Sequence, residues 1–148
     1  CCEFKQLNLA GELASMGGGV PVAFFGDVVR NLAAEVRGDG DNLGYAFGVK
    51  VGKATVPWSL TKGWEAGYMF ERLESDAVYD EFADSDFGGG GTNRRGNVAW
   101  ITLATLKNST FGAKFFFRQD LLTNTGSGSS LAQAFREDRI QLDWVTKF

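Results

Sequence analysis

The feature that most constrains this chain is a two-residue alternation of bulky and small side chains that recurs along most of its length. In Leu43-Gly-Tyr45-Ala-Phe47-Gly-Val49-Lys-Val51 the large apolar residues take one side, and Gly44, Ala46, Gly48 and Lys50 take the other. Successive side chains of a strand point to opposite faces, so an extended strand is the structure that separates these two sets. Trp64, Ala66, Tyr68 and Phe70 likewise alternate with Glu65, Gly67, Met69 and Glu71. Phe111, Ala113, Phe115 and Phe117 oppose Gly112, Lys114, Phe116 and Arg118, and Ile140, Leu142, Trp144, Thr146 and Phe148 oppose Gln141, Asp143, Val145 and Lys147. Residues 4–15 set Leu7, Leu9 and Leu13 against Gln6, Asn8 and Glu12. Residues 20–30 and 97–107 are apolar on both faces for part of their length, which leaves their sides open. Seven strands of about 9–13 residues result, near the length a tilted strand needs to cross a bilayer.

Which face meets water decides the fold class. In a soluble barrel or sandwich the bulky face would be the core. Four large groups per strand, on strand after strand, would overfill a small closed interior. The opposite face, rich in Gly, Ala, Lys, Glu and Asp, suits a wet lumen, and Trp58, Trp64, Trp100, Trp144 and Phe148 read as interfacial girdle residues near strand ends. The expectation is therefore an all-β, antiparallel transmembrane barrel, with residues 1–148 a single barrel domain.

The connections support this. Residues 16–19, 53–62 and 108–110 are the shorter links, and they alternate with the longer 31–42, 75–96 and 123–138. Outer-membrane barrels have short periplasmic turns and longer extracellular loops. If the final strand ends in the periplasm, the three longer links are external and the first strand begins outside. Such barrels normally have an even strand number with both ends in the periplasm, so at least one further strand is expected upstream.

Composition narrows the function. No stretch approaches 18 consecutive apolar residues, so a helical membrane span is excluded, whereas barrel strands dilute hydropathy by alternation. A net charge of −3 without a basic stripe gives no support for nucleic-acid binding. Histidine is absent, which removes the commonest general base, and any metal site would rest on carboxylates. Ser and Thr are plentiful, chiefly in Asn124-Thr-Gly-Ser-Gly-Ser-Ser130, but no base stands ready to activate them, so the expectation is no enzyme. The adjacent Cys1 and Cys2 have no partner elsewhere in the chain; Cys1 reads more simply as the cut end of a longer chain than as a lipidated terminus.

At several points the residues resemble the putative porins of Gram-negative bacteria. The stretches that carry the resemblance are Gly26-Asp-Val-Val-Arg-Asn31, Gly44-Tyr-Ala-Phe-Gly-Val-Lys-Val-Gly52, Trp64-Glu-Ala-Gly-Tyr68, Asp84-Ser-Asp-Phe-Gly-Gly-Gly-Gly-Thr-Asn93 and Asp138-Arg-Ile-Gln-Leu-Asp-Trp-Val-Thr-Lys-Phe148. The resemblance implies a barrel of roughly sixteen strands, large enough to hold water, of which seven or eight strands are visible here as its C-terminal half. It implies outer-membrane lipid and small hydrophilic solutes as partners, with trimerisation by analogy. Ile140, Leu142, Trp144 and Phe148, with Thr146 as the weak member, are similar to the terminal signal read by the barrel-assembly machinery.

Lys50, Glu65, Glu71, Lys114, Arg118, Asp120, Asp143 and Lys147 fall on the small-residue side by alternation and are the candidate pore-lining charges. Charge pairing across neighbouring strands is the simpler account of the same residues. No cofactor is expected. Calcium is the one ion considered, at Asp84, Asp86 and Asn93 around a four-glycine run, although their spacing is not that of an EF-hand. The functional expectation is a water-filled channel for passive diffusion of ions and small solutes. The alternative is a small, non-conducting barrel that serves structure or surface binding.

Overall fold

A computed structural model of the protein describes residues 5–33, 41–55, 63–78, 92–106, 108–122 and 136–147. Seven strands, β1 (Gln6–Gly17), β2 (Val20–Asn31), β3 (Leu43–Lys53), β4 (Trp64–Leu73), β5 (Arg94–Leu106), β6 (Ser109–Leu121) and β7 (Arg136–Thr146), form one antiparallel sheet in chain order. Each lies where the alternation places it. Several extend beyond the apolar stretch, because ladder pairs such as Leu73↔Arg94 and Asp120↔Arg136 continue through charged residues. Backbone pairing needs no apolar side chain. Among the described residues no helix is long and apolar enough to cross a membrane, which has no bearing on strands.

Because consecutive strands are neighbours, links fall alternately at the two ends of the sheet. The strand ends at Gly17 and Val20, Lys53 and Trp64, and Leu106 and Ser109 lie at one end of the sheet, where the connections are shorter; those at Asn31 and Leu43, Leu73 and Arg94, and Leu121 and Arg136 lie at the other, where they are longer. The tightest link joins Gly17 to its partner Val20. Gly18 and Gly19 have φ of 59° and 82°, the pair of positive values that a two-residue type I′ hairpin requires.

The long-link end is held by a buried polar knot. Asn31, fully buried, accepts at Oδ1 from the N–H groups of Lys5 and Ala33 (3.1 Å each) and donates from Nδ2 to the Asp76 carbonyl (2.9 Å). Its own carbonyl accepts from Asn42 Nδ2 at 3.2 Å. One side chain thus ties the chain before β1 to the links after β2 and β4. Eleven residues of β3 span about 34 Å, which projects to about 26 Å at a tilt near 40°, close to the ~25 Å apolar band of a membrane barrel.

Candidate functional site

The register converts the alternation of single strands into two continuous faces. On the bulky face one row runs Leu13, Phe24, Val49, Tyr68, Ala99, Phe115, Ile140 across all seven strands. The next row towards the short-link end contains Val22, Val51, Ala66, Ile101, Ala113 and Leu142. Beyond it Trp64, Leu103, Phe111 and Trp144 stand in one row near that end, with the Phe111 and Trp144 rings 6.3 Å apart. Several of these side chains are exposed, Leu13 by 75%, Phe24 by 60%, Ile140 by 67% and Trp144 by 59%, while others are half-buried and Ala113 is buried. Water tolerates single exposed apolar groups but rarely a contiguous face of them.

The other face holds most of the charges expected there, and the register shows which stand together. Lys50 and Lys114 share a row with Gly67, Trp100 and Gln141. Glu65 and Asp143 share the adjacent row towards the short-link end with Thr102 and Gly112. Glu71 stands in a row with Asp27 and Ala46 on the long-link side. Lys147 follows β7; its N–H donates to the Asn108 carbonyl at 2.9 Å, and its side chain helps to line a cavity of about 410 Å³ with Ala104, Thr110 and Val145. Lys50 pairs with Glu12 at 2.8 Å, reaching past β2 to β1. Cross-strand pairing and a charged face therefore coexist.

Asp120 is a correction to strict alternation. A β-bulge in β6 puts Arg118 and Gln119 opposite Gly96 alone, and Arg118 takes a left-handed φ of 51°. The Arg118 N–H donates to Asp138 Oδ1 at 2.8 Å, which holds the bulge. The extra residue reverses the alternation beyond it. Gln119, 1% exposed, takes the small face beside Gly96, while Asp120 stands opposite Arg95, in the row of Tyr45 and Arg72 on the bulky face. The Arg95 Nε–Asp120 Oδ2 separation is 4.0 Å.

Trp100 is a second correction. Grouped by sequence with the girdle aromatics, it sits mid-strand in β5 on the small face, opposite Gly67. Its indole N–H donates to Glu65 Oε1 at 3.2 Å, and its six-membered ring covers Gly67, where a Cβ would stand 2.5 Å from Cε2. Phe25 does the same over Gly48, where a Cβ would stand 2.6 Å from its Cζ. The two ring centroids are 6.3 Å apart although β3 and β4 lie between their strands. Strands repeat every ~4.8 Å, so the rings must lie down along the sheet, and glycine is what lets them. Val98 and Phe116 are buried beside them, with Met69 packed against the pair. This explains why β2 and β5 read as apolar on both faces. A signal was available in the glycines at 48 and 67, but only the register aligns them with the rings.

Asp84, Asp86, Trp58 and Phe148 lie outside the described residues. Asn93 is described, in a left-handed turn (φ 62°) whose carbonyl accepts from the Leu122 N–H at 2.9 Å. Among the described residues no cluster of three metal-ligating side chains occurs. Ile140, Leu142, Trp144 and Thr146 alternate on the bulky face of the edge strand β7.

A family model described as "Putative porin" matches residues 3–148. The chain belongs to the putative porin family. Porin membership accords with an all-β antiparallel sheet whose strands follow one another in order. Comparison with curated proteins and with solved structures gives no match.

Proposed function

We propose that the seven strands form part of the wall of an outer-membrane porin barrel, with the bulky face towards lipid and the small, charged face towards a water-filled lumen. The observation that carries this reading is the continuity of the two faces across all seven strands. Leaving one large apolar side chain in water forgoes about 1.5–3 kcal/mol of burial, and a row that sets six such side chains beside Ala99 is stable only in an apolar solvent. The aromatic row of Trp64, Phe111 and Trp144 near the short-link end suits a membrane–water interface, and the link asymmetry suits a periplasmic short end. In lipid every strand edge must be paired, so closure requires either β1 to meet β7 or additional strands between them. A barrel of roughly sixteen strands is the reading the family favours, and it leaves an aqueous passage.

Transport in this account is passive diffusion of ions and small hydrophilic solutes, biased by the charges that line the passage. Lys114 is the clearest such charge: it is exposed on the small face, and among the described residues it forms no ion pair. Lys114→Glu should move the zero-current potential in a salt gradient towards cation preference. The experiment that tests the function is planar-bilayer recording of the full protein, in which stepwise ohmic conductance is expected. The buried Val98–Phe116 cluster gives some support to a second reading, a small barrel filled by its own side chains, and stable insertion without current would favour it.

A further inference from the structure

We infer that the Phe25–Trp100 patch is a binding subsite for a neutral, hydroxyl-rich ring, a mono- or oligosaccharide. The inference rests on the reading of the small face as the solute-facing one. Both rings are half-buried, tilted by 47° to one another, and laid over Gly48 and Gly67 midway along their strands. They line an open dish of about 580 Å³ with Glu12, Asp27 and Lys50. That volume lies within the usual ~300–1,000 Å³ of small-molecule sites.

The chemistry of the dish selects among solutes. An aromatic face carries negative quadrupole charge and attracts C–H groups bearing partial positive charge. A pyranose ring presents such a C–H face, with hydroxyls around its edge. The polar groups beside the rings come as both signs: Glu12 and Lys50 are paired at 2.8 Å, and Glu65 accepts the Trp100 N–H. Asp27, exposed, forms no ion pair among the described residues. A hydroxyl both donates and accepts, so it can use carboxylate and ammonium alike. A simple ion would meet attraction and repulsion together and has no apolar surface for the rings. An aliphatic solute would strand the charged groups without partners.

The test is titration of the full protein in detergent with maltotriose, followed by tryptophan fluorescence. A saturable change is expected, and Phe25→Leu, which keeps the four tryptophans of these 148 residues, should raise its midpoint at least fivefold. Lys50→Met removes an exposed ion-pair partner and serves as the second variant, with a rise in the same direction expected. Trp64→Phe, on the bulky face, should leave the midpoint unchanged, and the acyclic polyol mannitol should give no saturable response. No saturable change with maltotriose, an equal response to mannitol, or a midpoint indifferent to both Phe25→Leu and Lys50→Met would overturn the subsite. Bilayer recording separates this from the porin reading: current without binding refutes the subsite alone, and binding without current refutes the channel alone.

Discussion

Gly67→Ala is a one-methyl change whose cost follows from the geometry of Trp100. The added Cβ would stand 2.5 Å from Trp100 Cε2 and 2.6 Å from Cη2. That is about 1 Å inside ordinary carbon–carbon contact. The indole is not free to rise unopposed, because it packs against the Val98–Phe116 pair and holds its hydrogen bond to Glu65. Overpacking of this kind costs about 1–3 kcal/mol. A displaced indole also loses the bond to Glu65, about 1–1.5 kcal/mol. Replacing Gly by Ala in a strand returns about 0.5–1 kcal/mol of backbone entropy. The balance is a net loss of about 1–4 kcal/mol, centred near 2.5 kcal/mol. Urea unfolding of protein refolded into lipid vesicles, followed by circular dichroism so that the missing indole does not alter the signal, would measure it. In a Trp100→Ala background the methyl added at position 67 has room, and the penalty should fall below about 0.5 kcal/mol, a coupling within the range found for residues in contact. A neutral Gly67→Ala, or a penalty of equal size in both backgrounds, would refute the argument that glycine stands at position 67 to seat the Trp100 ring.

Three other substitutions test different layers of the account. Asn31→Ala removes the partner of the Ala33 N–H and the Asp76 carbonyl, both half-buried, and of the Lys5 N–H, which is exposed and can turn to water; it should cost about 2–4 kcal/mol in the same unfolding assay, since a buried unsatisfied group is worth about 1–3 kcal/mol. Leu142→Arg and Gln141→Arg are neighbours on opposite faces of β7. The first should cost about 2–4 kcal/mol in lipid as a cation on the lipid side, and the second should cost less than about 1 kcal/mol.

Much of the fold was legible because alternation is a local property. In β3, β4 and β7, and in β6 as far as Phe115, the alternation of most large residues with small or polar neighbours declares the face, and the glycine pair 18–19 declares its hairpin. What could not be read depends on partners distant in the chain. Phe25 and Trp100 blurred the alternation of their strands because the glycines that admit them lie on β3 and β4. Phe117-Arg-Gln-Asp120 looks like continuing alternation, since nothing local marks Arg118 as the residue that adopts a positive φ; Asp138 supports it from the next strand. Asn31 carried no signal beyond being a polar residue at a strand end, and its knot draws on Lys5, Asn42 and Asp76.

The central claim is that one face of the sheet meets lipid and the other meets water. Its most direct test is single-cysteine labelling along β7, from Arg139 to Asp143, in a Cys1→Ser, Cys2→Ser background reconstituted in lipid vesicles. A water-soluble, membrane-impermeant thiol reagent should label positions 139, 141 and 143 and spare 140 and 142. Labelling that is uniform along the strand, or that favours 140 and 142, would contradict the assignment of faces and with it the proposed channel.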